Sequence, residues 1–98
     1  MTEPADVLVR VPSLLRPFTG GREELLLAVE GAVSVAALLD TIGAQFPVFD
    51  RRVRDETGAL RRYVNIYLGH DDVRRLRGTD TEVQPGQELM IIQSVAGG

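Results

Sequence analysis

The chain has 98 residues, 44% of them hydrophobic and 26% charged, and a formal net charge of -3. That is one domain of ordinary soluble composition, able to bury about two-thirds of its unfolded surface around a single modest core. The acid excess argues against a nucleic-acid binder, no apolar stretch approaches the ~18 residues that span a bilayer, and the lack of cysteine excludes disulfides, thiolate nucleophiles and thiolate metal sites.

All eleven basic residues are arginine, so a P-loop lysine and a Schiff-base lysine are missing too. The opening MTEPAD is polar and acidic, unlike a secretory or transit peptide. A cytoplasmic protein with no membrane partner is expected.

In DVLVRVP, Val7, Val9 and Val11 alternate with Leu8 and Arg10, which predicts a half-buried strand stopped at Pro12. SLLRPFTGGR, with Pro17 and Gly20-Gly21, reads as a long hairpin connection. EELLLAV returns as a strand, with Leu25, Leu27 and Val29 on one face. Ser34 is a helix N-cap candidate, because Val35, Leu38, Leu39, Ile42 and Phe46 follow it as one helical stripe. Pro47 ends that helix, and Gly43 weakens its last turn. VFDRRVRDETG is polar on most sides and reads as a short second helix or an ordered loop.

RRYVNIYL alternates again, with Val64, Ile66 and Leu68 inward and Tyr63, Asn65 and Tyr67 outward. GHDD is turn chemistry, VRRLRGTDTEV holds one short strand or a 3₁₀ turn, and QPGQ is a Pro-Gly turn. ELMIIQSV is the last strand. Its Leu89-Met90-Ile91-Ile92 run does not alternate, as expected of a central strand or one that faces a partner as well as the core. This order predicts an α+β fold over residues 1–98: a β-grasp, or ubiquitin-like roll, with a mixed sheet of four to five strands on one main helix. The first and last strands lie parallel at its centre, and a flexible tail covers about residues 95–98.

Most candidate sites have an ordinary reading. His70 lies in a turn with Asp71 and Asp72, and adjacent aspartates on a turn diverge too far to share a metal. Glu23 and Glu24 are strand neighbours that point to opposite faces, not a converging acid–base pair. Gly20-Gly21 lacks the surroundings of a phosphate loop. Arg51, Arg52, Arg54, Arg61, Arg62, Arg74, Arg75 and Arg77 are mixed with Asp50, Asp55 and Glu56, as on a solvated mixed-charge surface. No catalytic residue, metal ligand or bound cofactor is expected.

The end of the chain, SVAGG, is different. An apolar strand runs straight into Val95, Ala96, Gly97 and Gly98, with no side chain on the last two. Glycine lets a backbone pass through a channel too narrow for a β-carbon. A terminal carboxylate carried this way can enter another enzyme's site as its substrate. On the last strand, Met90 and Ile92 should face away from the core. With Leu8, Arg10, Tyr63 and Tyr67 they would form a docking face beside the tail, of the residue types enriched at interface centres.

These features resemble the ubiquitin-like sulfur carriers of the ThiS/MoaD type, and most of all their CysO branch. LLRPFTGG is similar to the first hairpin of that branch, RRYVNIYLGHDDVR to its third strand and turn, and SVAGG to its tail. The resemblance implies a protein co-substrate, not an enzyme. An adenylating enzyme related to the ubiquitin activators would use ATP to activate Gly98, and a sulfur donor would then leave a thiocarboxylate there. It also implies a sulfur-accepting synthase, such as a PLP-dependent cysteine synthase or a thiosugar synthase, and in some pathways a metallopeptidase that releases product. Three other readings stay open: a modifier conjugated through Gly98, the small subunit of a molybdopterin-synthase-like complex, and a β-grasp domain that only binds partners. Ser94 and Ala96 stand where ubiquitin has arginines, which makes conjugation the weaker of the implied routes.

Overall fold

The computed structural model describes residues 5–94. Strand β1 (Ala5–Arg10) buries Val7 and Val9 on one face, as the alternation requires. The connection that follows is not irregular. Residues Ser13–Thr19 form a 3₁₀ helix that buries Leu15 and Thr19. The Thr19 hydroxyl lies 3.2 Å and 3.0 Å from the carbonyls of Arg16 and Arg22, which satisfies a polar side chain in a fully buried place. Gly20 then ends the helix at φ 65°, a left-handed conformation that a β-carbon disfavours.

Strand β2 (Glu24–Val29) returns antiparallel to β1, and a two-residue strand β3 (Val33–Ser34) leads into helix α1 (Val35–Gln45). The Ser34 Oγ accepts a 3.0 Å hydrogen bond from the Ala37 N–H, the expected cap, and Val35, Leu38, Leu39 and Ile42 are buried. Pro47 ends α1 and opens helix α2 (Pro47–Val53) as its first residue, where its missing N–H costs nothing. The polar look of this stretch misleads. Phe49 and Val53, one turn apart, are both 0% exposed and belong to the core. Gly43 also has a packing role, because a β-carbon there would meet the Asp50 carboxylate at 2.9 Å.

Nor is Arg54 part of a solvated surface. It is 9% exposed, and its guanidinium donates to Asp50 at 2.8 Å and 3.0 Å and to Asp40 at 2.8 Å, tying α2 to α1. The hydrogen bond it donates to Asp50, ahead of the one to Asp40, raises its pKa. Arg54→Ala is expected to lower the urea midpoint, by about 1–3 kcal/mol of stability, because it strands a partly buried carboxylate. An unchanged midpoint would show that the pair contributes nothing net.

Strand β4 (Val64–Leu68) precedes the turn at Gly69-His70 and a two-residue strand β5 (Asp71–Asp72). Two 3₁₀ turns and a short strand β6 (Glu82–Val83) follow, where one strand or one turn was expected; β6 pairs with β3. Strand β7 (Glu88–Gln93) completes a five-stranded sheet in the order β2-β1-β7-β4-β5. β1 and β7 are parallel inside it. The core joins the inner residues of these strands to α1 and α2. This is the β-grasp architecture.

Candidate functional site

The tail residues Val95, Ala96, Gly97 and Gly98 lie outside the described residues, so the site is built from their root. β7 ends at Gln93, and the next N–H, of Ser94, donates to the Tyr63 carbonyl at 2.9 Å. The chain therefore leaves from a central strand that is still paired to its neighbour. Arg74 braces that neighbour. Its guanidinium donates to the carbonyls of Arg61 at 2.7 Å and Val64 at 2.6 Å, and to the Asn65 side chain. Three acceptors on one turn explain why an arginine stands here. Charge patterning alone had placed Arg74 among solvated residues. Gln93 keeps its Oε1 buried without a donor among the described residues, which leaves an acceptor at the root.

The register of β7 is the expected one. Leu89 and Ile91 are buried, whereas Met90 and Ile92 are each 39% exposed on the opposite face. Arg10 stands across from Met90 on β1, and Tyr67 across from it on β4. Leu8, two residues before Arg10, completes the face. Tyr63 does not share it fully. It sits in the turn ahead of β4 and packs partly against the core, so it borders the tail root instead. Leu26, not foreseen in the face, lies opposite Leu8 on β2 and is 65% exposed. Its signal was the LLL run, whose middle residue must point away from the core.

Arg10 is not a free cation. It bridges Glu24 at 2.9 Å and Glu88 at 3.0 Å, and the hydrogen bond to Glu88, followed by the charge of Glu88, raises its pKa. The face thus presents apolar side chains around a neutralised charge. An open depression of about 310 Å³ lies beside it, lined by Arg10, Pro12, Arg16, Met90 and Ile92.

Other candidates resolve into local structure. The Asp72 carboxylate accepts from the Arg74 N–H at 2.9 Å. Glu24 pairs with Arg10, whereas Glu23 is 3.9 Å from Arg16, so the two carboxylates diverge. Among the described residues, no three His, Asp or Glu side chains are grouped to hold a metal ion. None of their helices is long and apolar enough to cross a membrane.

The fold and the tail root can be set beside known proteins. The curated sulfur carrier protein CysO of Mycobacterium tuberculosis is 33% identical over 95 residues, covering 95% of this chain and 99% of that protein. Its crystal structure matches with a TM-score of 0.78. A chain of the Amycolatopsis orientalis BexX/CysO complex matches with a TM-score of 0.77 and 33% identity, over 94% of this chain and 99% of that one. Small archaeal modifier protein 1 of Methanosarcina acetivorans matches at 26% identity with a TM-score of 0.76, over 99% of this chain and all of that one. The family model of ThiS matches residues 9–98, from β1 through both terminal glycines, and the chain belongs to the ThiS family.

Proposed function

We propose that this chain is a sulfur carrier whose cargo is bound at the carboxyl carbon of Gly98. The observation that carries the reading is the family match, which extends to Gly97-Gly98. A carboxylate with a pKa near 3.5 is ionised at neutral pH and is a poor electrophile. A partner enzyme joins it to the α-phosphate of ATP and releases pyrophosphate. Sulfide then attacks the acyl carbon, AMP leaves, and a thiocarboxylate remains. ATP is held by that partner. The carrier is a protein co-substrate, and its lack of cysteine keeps any internal thiol from attacking the activated carbonyl.

The partner docks on the outer face of Leu8, Tyr67, Met90 and Ile92, beside the tail root. A sulfur-accepting synthase then takes the cargo. Support for a protein partner comes from the relative crystallised as a BexX/CysO complex. Ile92→Arg is expected to weaken binding of the activating enzyme by about 2 kcal/mol, roughly 30-fold, as at an interface hot spot. Its unfolding midpoint should hold to within about 0.5 kcal/mol, as for other exposed positions. Unchanged affinity would place docking elsewhere, and a large stability loss would make Ile92 a core residue.

Intact-protein mass spectrometry after incubation with an adenylating enzyme, ATP and sulfide tests the chemistry. The expected product has one oxygen replaced by sulfur. An unchanged mass, with the enzyme active on another carrier, overturns the reading. The likeness to an archaeal modifier favours a second reading, conjugation through Gly98, which would appear as amide adducts on other proteins.

A further inference from the structure

Strand β2 is an edge of the main sheet, and among the described residues no strand pairs with its outer side. The phase of its hydrogen bonds follows from two observations. The Val11 N–H donates to the Glu23 carbonyl at 2.8 Å, continuing the β1–β2 register of Arg10 with Glu24. The Leu8 N–H points the other way, to the Gln87 carbonyl at 3.2 Å. Odd residues of β2 therefore bond to β1, and Glu24, Leu26 and Ala28 turn their N–H and C=O groups outward. Among the described residues, no backbone hydrogen bond outside the ladder uses them. From Leu25 to Val29 the strand carries no proline and no charge, and an exposed leucine stands at its middle.

We propose that this edge pairs with the same edge of a second copy, antiparallel, about a two-fold axis at Leu26. In that register Leu26 meets its own counterpart on the outer face, and Glu24 faces Ala28. Just beyond the strand's ends, the same register brings Arg22 near Glu30 twice. Both are exposed, and neither has an ion-pair partner among the described residues. The outward backbone groups of residues 24, 26 and 28 then bond to those of 28, 26 and 24.

Neighbouring registers fail on side chains. An axis at Leu27 sets Glu24 against Glu30 twice, and one at Glu24 sets that carboxylate against itself. Axes at Leu25 and Ala28 each oppose Leu26 to a glutamate. Like charges directly opposite are destabilising, and opposite charges and apolar pairs stabilise. Below the sheet, an open apolar groove of about 500 Å³ between β2 and α1, lined by Leu27, Val33, Ala37 and Leu38, meets its symmetry copy across the axis. The two β7 strands stay five strand spacings apart, about 24 Å, so both tails remain available. This inference does not depend on the sulfur chemistry.

Sedimentation equilibrium of the full chain across a dilution series to millimolar concentration is the test. The wild type is expected to dimerise reversibly. Arg22→Glu alone should weaken the dimer about tenfold or more, since two cross-strand pairs change sign together. Arg22→Glu with Glu30→Arg should restore it, and Leu26→Asp should abolish it. Circular dichroism should show every variant folded, because all three positions are exposed. A wild type that stays monomeric, or a dimer whose constant is the same in Arg22→Glu and Leu26→Asp, overturns the proposal.

Discussion

Deleting Gly98, or adding a single residue after it, is expected to abolish sulfur loading entirely while leaving the unfolding midpoint where it was. In the proposed function, activation acts on a carboxylate at one fixed distance from the docking face. Four residues separate that carboxylate from Ser94, a reach of at most about 14 Å when extended. Losing one residue withdraws it by roughly 3.5 Å, and adding one hands the enzyme a different carbon. Misplacement of that size costs more than the near-attack geometry of acyl transfer tolerates. Gly97→Val should block loading by the bulk of its side chain, again without loss of stability. The measurements are intact mass after the activation reaction and a thermal melt. Normal loading of either length variant would remove Gly98 from the chemistry.

Phe49→Ala is expected to be the most destabilising single change in the domain, at about 3–5 kcal/mol. The ring is fully buried in the core on α2, and its removal leaves a cavity there. A domain of this size holds only about 5–15 kcal/mol in all. At about 4–8 °C per kcal/mol, the melting temperature should fall by at least ~12 °C. At low temperature the surviving folded protein should still load sulfur normally, since Phe49 lies on no surface a partner reaches. A fall below about 1 kcal/mol would mean that α2 repacks freely against α1.

The strands were legible in the sequence because burial imposes a period of two, and Val7 and Val9, Val64 and Ile66, and Leu89 and Ile91 obey it. Helix α1 was legible through Ser34 and its stripe. Helix α2 was not plain because only Phe49 and Val53 mark its inner face, too few to show a period. The 3₁₀ segment was missed for a related reason. It packs against α2, distant in sequence, and Pro17 looked like a breaker. Of the site, the outward register of Met90 and Ile92 could be read directly. The roles of Arg54, Arg74 and Arg10 could not, since charge alone does not say which arginine finds carboxylates or carbonyls in three dimensions.

The placement of β7 has a mechanical consequence. An enzyme that grips the tail pulls on a strand flanked by β1 on one side and β4 on the other. With the amino-terminal end held, that tension runs along the parallel β1–β7 ladder in shear, so its bonds bear the load together and do not open one by one like a zipper. The antiparallel β4–β7 ladder, reaching from Leu68–Leu89 to Val64–Gln93 and extended by the Ser94–Tyr63 bond, adds a second seam along the same line of force. The domain is thus built to be tugged at its carboxyl-terminal end without unravelling.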